Sequence, residues 1–140
     1  MTKQGLLEIE RISADKTVDI RHAVLWPEKT KLDVILPEDE DGTHFGASID
    51  GALVAVISLF ETSTGTRFRK FATLPDWQGK GVGTQLLTHA IEWSRTKGER
   101  RIWCDARVSA LPFYARQGFT AEGDVFEKSG IAYTVMSREL

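Results

Sequence analysis

The spacing of apolar positions along this chain changes several times, and each change marks an element. Over residues 6–12, Leu7, Ile9 and Arg11 alternate with their neighbours, which predicts a first strand. Ser13 is placed to cap a helix over 14–25 that carries Val18, Arg21, His22 and Leu25 on one flank until Pro27 breaks it. Residues 28–42 are polar and irregular, with Pro37 and the acidic run Glu38, Asp39, Glu40 and Asp41, and read as a long solvated loop with at most a turn of helix. Two β-rich runs, 44–49 and 52–60, meet at Asp50-Gly51, a dipeptide suited to the positive φ angles of a two-residue hairpin. Thr64-Gly65 marks another turn into a strand over 67–74, with Phe68, Lys70, Ala72 and Leu74 expected on one face and Arg69, Phe71 and Thr73 on the other.

Val82, Leu86, Ala90 and Trp93 then recur at helical spacing beside Gly83, Leu87, Ile91 and Ser94, which makes a long helix with a wide apolar face, closed by Gly98. A strand over 101–106 follows. Next comes a short helix over 111–117, with Ser109 as its expected cap, Pro112 in its first turn and Gly118 at its end. Two strands, 119–126 and 131–138, close the chain across Lys128-Ser129-Gly130. This order predicts one α/β domain over 1–140, with a mixed, mostly antiparallel sheet flanked by helices.

Composition narrows what such a domain does. At 140 residues, 41% hydrophobic and 27% charged, the chain supports a single substantial core, and no apolar run reaches membrane-spanning length. Residues 1–5 hold no signal-peptide core and the lone Cys104 has no internal disulfide partner, so a cytoplasmic location is expected. A net charge of −2 gives no electrostatic reason to bind nucleic acid, and His22, His44 and His89 lack the spacing of a metal site.

Candidate chemistry concentrates where the strand over 67–74 runs into the long helix. Pro75 stops the strand, and Gly79, Gly81 and Gly83 then remove side chains at alternate positions. The backbone can turn tightly there, approach a ligand closely and leave N–H groups unpaired. A helix start adds orphan N–H groups and the positive end of a dipole, which suits phosphate or pyrophosphate. The loop lacks the Gly-Lys-Ser/Thr ending of a P-loop, and Thr84 stands where a dinucleotide fingerprint requires its third glycine. What remains is Gln78-x-x-Gly81-x-Gly83.

That loop, with a strand before it and a long helix after it, resembles the acetyl-CoA loop of the GNAT family of N-acetyltransferases. Residues 113–119, Phe-Tyr-Ala-Arg-Gln-Gly-Phe, resemble the family's Phe-Tyr-x-x-x-Gly-Phe signature, in register with the loop. The likeness is closest from about Phe45 onward. Gly123-x-x-Phe126, Gly130-Ile131 and Met136 are similar to a bacterial ElaA- and YjcF-like subgroup, which often carries His where this chain has Tyr133.

The resemblance implies acetyl-CoA as cosubstrate and acetyl transfer to a primary amine of a small molecule or protein, by direct attack in a ternary complex. Backbone groups of Phe71, Ala72 and Thr73 would pair with the pantetheine arm like an added strand. Gln78, Gly79, Lys80, Gly81, Val82, Gly83 and Thr84 would form the pyrophosphate loop, with a free N–H near Thr73 as the oxyanion donor. Tyr114 would protonate the departing sulfur, since a phenol of ordinary pKa ~10 keeps its proton at neutral pH. Arg107 stands near where many members carry an Asn that touches CoA, and would reach a phosphate or a pantetheine carbonyl instead.

The acceptor side is less marked. Residues 14–42 and 126–133 would shape its pocket, with the acidic run over 38–41 either solvated or forming a rim that favours a cationic amine. Arg69 would bind an acidic substrate group or make a cross-strand ion pair. Glu61 and Asp105 are candidate bases that nothing singles out, and Cys104 reads as a small buried hydrophobe. A homodimer fits the family, although no stretch specifies an interface. Two other readings stay open: a CoA-binding sensor module of the same fold, and a loop that holds another phosphate ligand such as a nucleotide.

Overall fold

Strands β1 (Leu7–Ile12), β2 (Thr43–Ile49), β3 (Ala52–Thr62), β4 (Gly65–Thr73), β5 (Arg101–Arg107), β6 (Thr120–Lys128) and β7 (Ile131–Glu139) form one sheet in the order β1-β2-β3-β4-β5-β7-β6. The computed structural model describes residues 6–140; the stretch 1–5, read above for a leader, lies outside the described residues. Every neighbouring pair is antiparallel except β4 and β5, which run parallel and pair only at Thr66↔Ile102 and Arg67↔Trp103. This is the mixed, mostly antiparallel α/β sheet that the pattern predicts.

Helix α2 (Val82–Thr96) covers one face. Its Val82, Leu86, Leu87, Ala90 and Ile91 pack with Phe45, Ile57, Leu59, Phe68 and Ile102 of the sheet in the main core. β3, one strand from the middle of that sheet, is buried without interruption from Val54 to Phe60, so its other face also needs a cover. Residues 14–25 supply it. They are helical as expected but change form, from a 3-10 turn (Ala14–Thr17) through α1 (Val18–Ile20) to a π turn (Arg21–Leu25). Ser13 sits at the N-cap in extended backbone and makes no side-chain cap bond. Ile20 packs there on Val56 and Ala72.

The expectation that 28–42 is a solvated loop is corrected by a buried ion pair. Arg21, fully buried, donates from Nη1 to Asp39 Oδ2 at 2.7 Å and Val34 O at 3.0 Å. From Nη2 it donates to Asp39 Oδ1 at 2.9 Å and Ser58 Oγ at 2.8 Å. The Leu36 N–H reaches Asp39 Oδ2 at 2.9 Å, and the His44 ring bridges Ser58 Oγ at 2.7 Å and Asp39 O at 2.9 Å. Val34 and Leu36 are buried beside them. The segment is thus pinned to β2, β3 and the π turn.

β4 departs from the expected alternation. Its register against β3 shifts, so that Lys70 and Phe71 together oppose Ile57, and Lys70 takes a positive φ of 54°. A bulge of this kind reverses the side-chain parity beyond it. Phe68 and Phe71 therefore share the α2 face, while Ala72 turns to the opposite face with Ile20 and Val56. A second local correction concerns α3 (Leu111–Arg116). Its N-cap is Ala110, preceded by a 3-10 turn over Val108–Ala110, so Ser109 does not cap it.

Removing one member of a buried ion pair leaves the other charged and unpaired, at a cost of about 3–5 kcal/mol. Asp39→Asn should lower the stability measured by urea unfolding by that much; a loss under about 1 kcal/mol would show that the latch contributes little. Burial raises the Asp39 pKa, but the hydrogen bonds of Arg21 and the Leu36 N–H, with the charge of Arg21, outweigh it and the net direction is down. A carboxyl depressed on folding stabilises fully above its unfolded value and ceases to do so as pH falls through its folded one. In the Asn variant, that part of the acid-side loss should be missing.

Candidate active site

The site exists because β4 and β5 part. After Arg67 no residue of β4 pairs with β5, and the β5-facing edge of β4 beyond that point has no strand partner. Aromatic side chains fill the space beneath. Phe68, Tyr114 and Phe119 form a triangle of rings with centroids 5.8 and 5.9 Å apart, and Phe71 and Phe113 extend it at 6.0 and 5.3 Å from Phe68 and Tyr114. Above this wedge lies a cavity of about 490 Å³ between the two strands, closed on one side by Val24, Leu25 and Trp26 of the π turn and its end.

A second cavity, of about 530 Å³, runs along Phe71, Ala72 and Thr73 to Gly79, Gly81, Gly83 and Thr84. Gly79 and Gly81 have φ of 72° and 84°, and a Cβ built on either meets nothing within 4 Å, so their side chains are excluded by backbone conformation and the space outside them is open. Gly81 is the N-cap of α2, whose first turn holds no acid. The first backbone hydrogen bond of the helix runs from Gln85 N to Gly81 O at 3.0 Å, so the N–H groups of Val82, Gly83 and Thr84 precede the ladder. Gly83 and Thr84 line the cavity, so the helix start and the positive end of its dipole border it, which fits an anionic group.

Gln78, expected in the loop's ligand set, reaches back and donates from Nε2 to Thr73 O at 2.8 Å, tying the loop to the end of β4. Lys80 lies over the Trp77 ring at 5.1 Å. Gln117 Nε2 stands 3.5 Å from Thr84 Oγ1, joining α3 to the loop.

The two cavities share Val24, Phe71, Gln78, Ala110 and Tyr114. Tyr114 is therefore at their junction. Burial, and then Cys104, raise its pKa, while Arg107 pulls the other way; the net effect keeps the phenol protonated well past neutrality. Burial likewise raises the Cys104 thiol, which leaves it unsuited to act as a nucleophile.

Arg107 lines the first cavity and not the one at the glycine loop; its Nη2 donates to Leu25 O at 3.3 Å and its guanidinium lies 5.6 Å from the Trp26 ring. Arg69 lines the first cavity and pairs with Glu38 at 2.7 Å, so that member of the acidic run is neutralised and forms no free acidic rim there. Glu61 lies elsewhere, in cavities that hold neither Tyr114 nor the loop. Asp105 accepts from Arg67 at 2.8 Å and Lys128 at 3.0 Å. Among the described residues no three His, Cys, Asp or Glu side chains gather as metal ligands, and no helix is long and apolar enough to cross a membrane.

Trp26 and Lys128 lie in the segments 14–42 and 126–133 expected around the pocket, whereas the sequence pattern assigns no site role to Arg67 and Lys70 in the first cavity or to Arg116 in the second. Arg116 was within reach, since it stands inside the 113–119 motif on the helix facing the loop.

An acetyltransferase (GNAT) domain model matches residues 25–140 of the chain. The uncharacterized N-acetyltransferase YitI of Bacillus subtilis is 30% identical over 145 residues, spanning 96% of this chain and 97% of that protein. Among solved structures, Escherichia coli ElaA has a TM-score of 0.82 at 19% identity, over 96% of this chain and 100% of that one. A GNAT family acetyltransferase from Elizabethkingia anophelis with acetyl-CoA bound has a TM-score of 0.76 at 17% identity, over 96% and 98%. At those identities the two structures attest the fold.

The loop glycines should respond unequally to substitution. Gly81→Ala places a Cβ on a left-handed backbone and should cost about 1 kcal/mol in urea unfolding. Gly83→Ala should be near neutral, because its Cβ would meet Phe71 Cζ and Thr73 Oγ1 at an ordinary 3.5 Å. Equal effects at both positions would contradict this reading.

Proposed function

This chain belongs to the acetyltransferase (GNAT) family, and on that premise we propose that it moves an acetyl group from acetyl-CoA to a primary amine by direct attack in a ternary complex. One observation carries the reading: two cavities, one ending at an anion-binding loop and the other between parted strands, meet at Tyr114. Such a junction lets a donor and an acceptor reach one point from opposite sides.

The residues present fit the donor. The N–H groups at the start of α2 suit a pyrophosphate, Arg116 adds a charge beside them, and the unpaired edge of β4 over Phe71, Ala72 and Thr73 offers main-chain groups to an extended amide-bearing arm. When bound, acetyl-CoA supplies an electrophilic thioester carbonyl and a thiolate leaving group. The bulge at Lys70 and Phe71 interrupts the ladder next to the junction, so the oxyanion donor we assign is a main-chain N–H there, just before Thr73. Tyr114 is the proton donor we assign at the sulfur, since it stands where the two cavities meet and its environment keeps the phenol protonated at neutral pH.

No separate base is required of this cavity. Asp105 is held between Arg67 and Lys128, and the surrounding cations favour the neutral form of an amine. Lys70 in the same wall is pushed down to about 8, first by burial and then by the charges of Arg69, Arg21, Lys128 and Arg107.

Calorimetric titration should show acetyl-CoA and CoA binding in preference to ATP and NAD; preference for a nucleotide, or no CoA binding, would overturn the assignment. Tyr114→Phe should lower kcat by about 10²–10⁴-fold, the range of general acid catalysis, with acetyl-CoA affinity changed by less than about threefold. Unchanged turnover would remove Tyr114 from the mechanism. Tight CoA binding without turnover on any amine would favour a sensor module.

A further inference from the structure

The wall of the first cavity carries five cationic side chains, Arg67, Arg69, Lys70, Arg107 and Lys128, against one carboxylate, Asp105. An adjoining cavity shares Trp26, Lys70, Lys128 and Tyr133 with it and adds Lys29 and Asp33. The carboxylates are already engaged. Asp105 is divided between Arg67 and Lys128, and Asp33 closes a capping box with Thr30. Arg69 is met by Glu38, which stands outside the cavity wall. Arg107 has a carbonyl and the Trp26 ring as partners, but no carboxylate, and Lys70 has no ion-pair partner among the described residues.

Three of these cations also converge, Lys70 and Arg107 without a carboxylate and Lys128 sharing Asp105 with Arg67. Lys70 comes from the bulge of β4, Arg107 from the end of β5 and Lys128 from the end of β6, three separate elements that meet beside Tyr133 and Trp26. Lys128 lies 4.9 Å from the Tyr133 ring and Arg107 lies over Trp26, so aromatic faces brace both heads from behind. Lys70 holds its place through a left-handed backbone conformation that a lysine seldom adopts. A plain alkylamine or a polyamine would bring another positive charge into this surround. A substrate whose amine is accompanied by an oxyanion would compensate it.

Building on the acetyl-transfer reading, we propose that the acceptor is an amine that also carries a carboxylate or phosphate, and that Lys70, Arg107 and Lys128 seat this oxyanion while the amine points toward Tyr114. The positive field then selects against polyamines and neutral amines.

The test uses the full chain with acetyl-CoA and amines matched in length: butylamine, 4-aminobutanoate and 1,4-diaminobutane, with ethanolamine against 2-aminoethyl phosphate. At least one anionic amine should exceed its neutral counterpart in kcat/KM by about tenfold or more, with the diamine poorest; the carboxylate and phosphate arms tell which oxyanion is preferred. Lys70→Gln and Lys128→Gln should each cut the anionic-to-neutral ratio by about threefold or more while the Kd for acetyl-CoA stays within error. Preference for butylamine, ethanolamine or the diamine would overturn the inference. Should no amine in the set turn over, calorimetry of the CoA-loaded protein with succinate and inorganic phosphate decides: binding that Lys70→Gln weakens supports the oxyanion seat, and no binding of either overturns it. Failure to bind acetyl-CoA at all would instead sink the transfer reading beneath it.

Discussion

Everything at this site depends on a competition between backbone pairing and aromatic packing. Had β4 and β5 continued side by side past Thr66 and Arg67, there would be no cleft. The rings of Phe68, Tyr114 and Phe119 occupy the α2 side of the gap, with Phe71 and Phe113 against them. Each ladder bond forgone is worth about 0.5–1.5 kcal/mol net, and less where water or a ligand can replace it. Each buried aromatic is worth about 3–5 kcal/mol against its removal. Packing wins, and the edge left unpaired opens onto a polar cavity where its N–H and C=O groups can be satisfied.

The bulge at Lys70 acts within that frame. Without it, Phe71 would point away from the α2 face and the aromatic cluster would lose a member, while Ala72 could not meet Ile20 and Val56. One extra residue in β4 thus builds the floor of one cavity, breaks the ladder where a carbonyl oxygen would need a donor, and turns a lysine into the other cavity. Across the sheet, the Arg21–Asp39 pair anchors 28–42 and holds the π turn in place, and that turn brings Val24, Leu25 and Trp26 to the acceptor side. A latch remote from the chemistry positions one wall of the pocket.

The hairpin at Asp50-Gly51, the glycine loop, the long helix and the Tyr114 motif were legible in the sequence because each rests on a local rule: positive φ, helical period, or a spacing tied to a turn. The rest arises over distance. Lys70 looks like any strand residue, and only the pairing of β3 with β4 reveals that it sits in a bulge and reverses the alternation beyond it. Residues 28–42 read as solvent-facing because their acids dominate the composition; the partner that buries Asp39 lies 18 positions earlier in the chain. Lys128 and Arg107 come from strands that only the fold brings together. Arg69 reads as a substrate contact or a cross-strand ion pair, but its carboxylate partner is Glu38, in the 28–42 segment and not on a neighbouring strand.

Hydrogen exchange of the backbone, with and without acetyl-CoA, tests the central assignment most directly because it reports where a ligand lies and not only that one binds. Slowed exchange at residues 70–74 and 79–84, with β1 and β6 unchanged, is the expected result, since these are main-chain groups of the parted strand and of the helix start. Binding that leaves both stretches unprotected, or that protects another surface, would contradict the placement of the donor in this cleft.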